Sequence, residues 1–74
     1  MMKVKVRLDT LSDVNKFVGI ASGISADVYL TDSKHFTVNA KSILAVMYTM
    51  EWSEVYCTCE KNIYYSIQDY VIEE

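Results

Sequence analysis

The chain has 74 residues, of which 51% are hydrophobic and 23% charged, a composition typical of a globular domain rather than of a disordered segment. This length accommodates one hydrophobic core, so we expect a single domain over residues 1–74. The net charge is −3 and both signs are spread along the chain, which argues against a nucleic-acid partner. The opening MMKVKVRL lacks a continuous apolar run, so we expect no membrane association and a cytoplasmic location.

The first strand and the first helix follow from two patterns near the start of the chain. Residues 3–8 alternate charged and apolar side chains, which predicts a half-buried strand. Thr10 and Asp13 have the spacing of a capping box, and a helix of about three turns should begin there. We expect Gly23 to end this helix as a left-handed C-cap. The apolar stripe of the helix comprises Val14, Phe17, Val18 and Ala21.

A hairpin is predicted next. Residues 26–31 alternate again, which indicates a second strand, and the polar residues 31–34 read as a turn. Phe36 and Val38 mark a short third strand. The lone histidine, His35, falls in this hairpin, and we expect it to be exposed.

The second half of the chain is predicted to form a helix, a strand and a last helix. Ser42 precedes an apolar helical pattern and is a good N-cap candidate. In that helix we expect Leu44 and Val46 to be core, whereas Met47 and Met50 could be either buried or exposed. Residues 54–60 form a predicted fourth strand. Asn62 can cap a last helix, whose apolar stripe comprises Ile63, Ile67, Tyr70 and Val71.

Cys57 and Cys59 are the two cysteines, and both should face the core from the fourth strand. Residues two apart on a strand share a face but do not reach disulfide geometry easily. Two thiols and a distant histidine also fall short of a zinc site, so we expect neither a metal nor a cofactor.

The predicted order of elements is βαββαβα, and every strand has one apolar and one polar face. This pattern favours an α+β open-faced sandwich, in which a four-stranded antiparallel sheet carries three helices on one face. The polar face of the sheet is expected to be mainly solvated.

The order of elements and the segment VNAKSILAVM (residues 38–47) resemble the HPr family, the phosphocarrier of the bacterial sugar phosphotransferase system. The AKS tripeptide ending at Ser42 and the pairing of Phe17 with Val18 add to the similarity, which extends over almost the whole chain. The resemblance implies an HPr-like fold. It also implies a phosphoryl-accepting histidine at the start of the first helix, held near an arginine.

The family's phosphocarrier positions are changed in this chain. The histidine position falls on Thr10, the arginine position on Ser12 and the following proline on Asp13. A threonine phosphoester is too stable for fast onward transfer, and a carboxylate repels a phosphate dianion. We therefore expect no phosphocarrier role at this site.

The family's second site is a regulatory serine at the start of the second helix, and Ser42 matches it. The resemblance makes Ser42 a candidate for phosphorylation, while the simpler interpretation is that Ser42 is only the N-cap. A histidine-less branch of the family, the catabolite-repression HPr-like proteins, keeps this serine and regulates by binding a transcription factor. The loss of the arginine at Ser12 puts that same binding in doubt.

Three functions remain open at this stage. The first is a regulatory or adaptor protein that binds a transcriptional regulator or phosphotransferase-system proteins through Lys41, Ile43, Met47 and Met50. The second is a divergent phosphocarrier that still engages enzyme I, and the third is a self-associating scaffold, possible as a homodimer through its many aromatics. An independent enzyme is not expected, because the sequence has no nucleophile with a base and no glycine-rich phosphate loop.

Overall fold

Four antiparallel strands form the sheet, and the computed structural model describes them within residues 1–73. They are β1 (Met2–Val6), β2 (Val28–Thr31), β3 (Thr37–Asn39) and β4 (Val55–Cys59). Their order across the sheet is β1-β4-β2-β3, so the strand that comes last in sequence lies between the first two. The predicted α+β class and the four-stranded antiparallel sheet are confirmed.

Three helices complete the fold. Helix α1 (Leu11–Ser22) has 12 residues, α2 (Ile43–Tyr48) has six and α3 (Tyr64–Ile67) has four. A 3₁₀ turn extends α2 over Thr49–Glu51, and another follows α3 over Gln68–Tyr70. The last two helices are therefore short, and their stability must come from packing rather than from helix propensity.

One face of the sheet carries the core. Cys57 on β4 lies opposite Val4 on β1 and Leu30 on β2, so these side chains share a face. Buried side chains of all three helices pack into the same cluster, which places the helices on that face. The buried core comprises Val6, Val14, Phe17, Val18, Ala21, Val28, Leu30, Ala40, Val46, Cys57, Cys59, Ile63 and Ile67.

The end of the described chain adds to the edge of the sheet, which the sequence did not indicate. Val71 forms a bridge with Val6, and the Ile72 N–H donates to the Lys5 carbonyl at 2.9 Å. The Arg7 N–H donates in turn to the Tyr70 carbonyl at 2.8 Å. This segment therefore covers part of the β1 edge, which would otherwise present unpaired backbone groups.

Several expectations about where elements begin and end were wrong. The strands are shorter than predicted by one to two residues at most ends, as β2 illustrates by beginning at Val28. Gly23 ends α1 with φ −81°, in the right-handed region, and its N–H donates to the Ile20 carbonyl at 3.1 Å, which closes the helix with a 3₁₀-type turn. In residues 1–73 no helix is long and apolar enough to cross a bilayer.

Candidate functional site

The start of α1 is capped by side chains of the chain itself. Thr10 is the N-cap in an extended conformation, and its Oγ1 accepts from the Asp13 N–H at 3.1 Å. The Asp13 carboxylate accepts in return from the N–H groups of Thr10, at 3.2 Å, and of Asp9, at 2.9 Å. The predicted capping box is confirmed. The Asp13 N–H, one of the first-turn donors that could meet an external anion, therefore binds the chain's own hydroxyl, and the Asp13 carboxylate adds negative charge beside it.

The surroundings of this helix start are acidic. Asp9, Asp13 and Asp69 line a shallow cavity with Arg7, whose Nε lies 3.9 Å from an oxygen of Asp9. Burial and then the Asp13 and Asp69 carboxylates raise the pKa of Tyr70, which borders the same cavity. A phosphate dianion would meet several like charges here.

The beginning of α2 holds Ser42, the predicted regulatory residue. Ser42 is the N-cap in an extended conformation and its Oγ accepts from the Ala45 N–H at 3.4 Å, as predicted. The preceding backbone is fixed by Lys41, whose N–H donates to the side-chain oxygen of Asn39 at 2.9 Å. Ser42 is half-buried.

Helices α1 and α2 run antiparallel, so the hydroxyl at the start of α1 and the one at the start of α2 lie at opposite ends of the pair. Lys41 Nζ donates to the carbonyl of Ile24, just beyond the end of α1, at 2.7 Å. At the other end, Met50 lines a cavity with Leu8, just before α1 begins. Twelve helical residues span about 18 Å. The two family sites that the resemblance implies are therefore not brought together.

Most of α2 is an exposed apolar surface. Val46 is fully buried, and Thr49 in the following turn is nearly so. The remaining large side chains are exposed: Ile43 by 44%, Leu44 by 77%, Met47 by 38%, Tyr48 by 63% and Met50 by 38%. We refer to these five side chains as the outer α2 surface. Of the predicted partner-surface residues, Ile43, Met47 and Met50 belong to it, whereas Lys41 is half-buried at its edge.

Leu44 was expected in the core, and this prediction was wrong. Successive residues of a helix are rotated by 100°, so Leu44 and Val46 project about 200° apart and cannot both face the sheet. Val46 and Thr49, three residues apart, form the buried stripe instead. Leu44 thus becomes the most exposed side chain of the outer α2 surface.

Leu11 is a further exposed apolar residue, and the sequence analysis did not single it out. It is 57% exposed and lies on the same helical stripe as Val18, seven residues later. The buried stripe of α1 faces the core and the end of the chain, where the Phe17 ring packs edge-on against Tyr70 with centroids 5.7 Å apart. Leu11 is the first residue of α1 and adds exposed apolar surface at that end of the helix. An apolar residue at a first helical position, outside the buried stripe, was the available signal.

The two cysteines and the histidine lie where the sequence predicted. Cys57 and Cys59 are buried free thiols, as predicted, and burial followed by the Cys59 thiol raises the pKa of Cys57 to about 12. His35 is exposed in the hairpin, as predicted, with its ring next to that of Phe36. Among residues 1–73 no group of three or more His, Cys, Asp or Glu side chains is placed to hold a metal ion.

No family model, curated protein or solved structure matches this chain. The similarity to the HPr family therefore remains a resemblance of motif and element order. The geometry adds one capped and acidic helix start, and one broad apolar surface on a second helix.

Proposed function

We propose that this protein is a regulatory adaptor that binds a protein partner through the outer α2 surface. The observation that carries the proposal is the burial pattern of α2, where one of the six helical residues is buried and four large apolar side chains are exposed. Contiguous exposed apolar surface of this kind is typical of protein-binding sites. Methionine side chains such as Met47 and Met50 adapt well to partner surfaces.

The proposal places the protein with the histidine-less, HPr-like regulators of the phosphotransferase system or of carbon metabolism. Support comes from the AKS tripeptide and from Ser42, which borders the outer α2 surface as its N-cap. A phosphate on Ser42 would add about two negative charges beside an uncharged apolar surface. Phosphorylation would then change which partner the surface accepts.

A phosphocarrier role finds less support. Thr10 has an exposed hydroxyl at the position of the family's histidine, and this favours the divergent phosphocarrier as the second candidate. Against it, the Asp13 carboxylate lies at the helix start, where it accepts from the Asp9 and Thr10 N–H groups and brings negative charge to the place where a phosphate would sit. The adaptor is therefore the better-supported function.

Two labelling reactions and one binding assay test the proposal. The protein is incubated with enzyme I and phosphoenolpyruvate, and separately with the HPr serine kinase and ATP, and any label is mapped by mass spectrometry. We expect label on Ser42 from the kinase, with Ser42→Ala unlabelled and Ser12→Ala labelled as a control. Label on Thr10 or Ser12 from enzyme I would favour the phosphocarrier instead.

The binding assay measures capture of purified enzyme I, HPr kinase and the catabolite regulator by the unmodified and the Ser42-phosphorylated chain. We expect Leu44→Ser to abolish capture of whichever protein binds. Tyr65→Ser is the matched control, because Tyr65 is 81% exposed on α3, outside the outer α2 surface. Binding that survives Leu44→Ser and is lost with Tyr65→Ser would contradict the proposal.

A further inference from the structure

We propose that the outer α2 surface also binds the same surface of a second copy of this chain, with the two α2 helices antiparallel about a two-fold axis. The inference rests on the proposed function in one respect, since both require the outer α2 surface to be a binding surface. It adds a specific occupant. Self-association and partner binding would then compete for the same side chains.

The exposed apolar area is large for a chain of this size. The five side chains of the outer α2 surface are exposed by 38% to 77%, so together they form an apolar patch on the order of a few hundred Å². The whole chain exposes 4707 Å². Two copies that bury this patch against each other remove twice its area from solvent. That total approaches the lower end of the area buried in specific interfaces, about 1,200 Å².

The charge pattern favours a second copy over a charged partner. Residues 42–50 contain no charged side chain, so two copies can bring their α2 helices together without placing like charges in contact, although each chain carries −3. Lys41 precedes this segment and Glu51 follows it, with opposite signs. In an antiparallel pair, Lys41 of one chain lies at the same end as Glu51 of the second copy, and the reverse holds at the other end.

The spacing of the side chains suits helix-on-helix packing. Leu44, Met47 and Tyr48 follow one another at i, i+3 and i+4, so they form one ridge on the outer side of α2. A two-fold interface is self-complementary, and each ridge packs beside its own copy. The dipoles of antiparallel helices are also opposed, which is the favourable arrangement.

Sedimentation velocity of the full chain tests the dimer, over about 10 μM to 1 mM, the range in which a weak dimer dissociates. We expect a concentration-dependent shift from monomer to dimer. Leu44→Ser should weaken dimerisation by about tenfold or more, because each dimer loses two central apolar side chains. Tyr65 on α3 is about as exposed as Leu44, and Tyr65→Ser should leave the dimer dissociation constant unchanged.

Cysteine cross-linking tests the geometry. The native thiols are buried, so a cysteine introduced on α2 is the one that oxidises readily. An antiparallel pair that brings Lys41 to the end of Glu51 has its two-fold axis near residue 46, so Met47 lies beside its own copy. Met47→Cys should therefore form an intermolecular disulfide under mild oxidation, whereas Tyr65→Cys should not. Cross-linking by Tyr65→Cys alone would place the interface elsewhere and overturn the inference.

A monomer at every concentration would also overturn the inference, as would a dimer that Leu44→Ser leaves intact. These results are distinct from failure of the proposed function. A monomer that still captures a partner through Leu44 removes the dimer and keeps the adaptor. A dimer that captures no phosphotransferase-system protein, in either state of Ser42, keeps the dimer and removes the adaptor.

Discussion

The side chains of Thr10 and Asp13 each accept a hydrogen bond from the other residue's backbone N–H, at 3.1 and 3.2 Å. This reciprocal pair is a complete capping box at the start of α1. The first turn of α1 therefore begins with a cap made entirely by side chains of its own.

Removing the cap should destabilise the fold. We expect Thr10→Ala to lower the free energy of unfolding by about 1 kcal/mol, because the Asp13 N–H loses its acceptor. In a domain of this size that change lowers Tm by roughly 4–8 °C. Ser12→Ala is the control, because Ser12 is exposed at the second position of α1, and it should change Tm little. A Tm for Thr10→Ala that equals that of the unmodified chain would show that the cap contributes nothing.

Introducing the HPr phosphocarrier side chains at the helix start tests the proposed link to the phosphotransferase system. We expect the triple variant Thr10→His, Ser12→Arg, Asp13→Pro to accept phosphate from enzyme I at position 10, in a radiolabel transfer assay. The double variant Ser12→Arg, Asp13→Pro keeps Thr10 and should stay unlabelled. If neither variant is labelled, enzyme I does not dock on this chain, and the link to the phosphotransferase system fails while the apolar surface remains unaffected.

Substitution by alanine should destabilise the fold strongly at Leu30 and very little at Leu44. Leu30→Ala removes methyl groups from a fully buried site and should cost about 2–5 kcal/mol, most of the stability that a chain this short has. Leu44→Ala acts on a side chain that is 77% exposed and should change the free energy of unfolding by less than about 0.5 kcal/mol. Urea denaturation of the two variants measures the difference. Equal losses would mean that Leu44 is buried in solution.

Alkaline pH should destabilise the protein through Cys57. Burial raises the pKa of the Cys57 thiol to about 12, whereas an unfolded cysteine titrates near 8.5. A raised pKa stabilises the folded state fully below the unfolded value, and this contribution is lost as pH rises from about 8.5 toward 12. The loss is at most about 1.4 kcal/mol per pH unit.

Urea unfolding from pH 7 to pH 11 measures this dependence. Cys57→Ala is the control, and its stability should fall less steeply with pH, whatever its absolute value. Burial also raises the pKa of Tyr70, which remains in both proteins and contributes a common slope. Identical slopes for the two proteins would show that the thiol does not titrate within this range.

Periodicity predicted most of the fold, because burial of alternate or helically spaced residues is a local property of the sequence. The inward side chains of Cys57 and Cys59 were predicted in this way. The capping box at Thr10 and the N-cap at Ser42 were predicted from residue type and spacing at the helix starts, which are local as well. Strand ends were less accurate. They depend on which neighbour supplies the next hydrogen bond, as the Val71 bridge to Val6 illustrates.

The candidate site was only partly predictable. An uninterrupted apolar segment such as ILAVMY does not identify the buried side of its helix, so Leu44 was placed in the core. That choice is made by the sheet and by α1, which accept Val46 alone among the six residues of α2. The antiparallel placement of the two helix starts likewise depends on a contact between distant residues, Lys41 and Ile24.

The position of β4 between β1 and β2 bears on how the protein is made. Neither the first strand nor the hairpin has its central neighbour until residues 55–59 have been synthesised. A nascent chain that ends before them has no complete sheet on which α1 and α2 can pack. We therefore expect the sheet to assemble cooperatively and late in synthesis. The apolar segments made before β4 stay exposed until β4 leaves the ribosome, and we expect chaperones to bind them during that time.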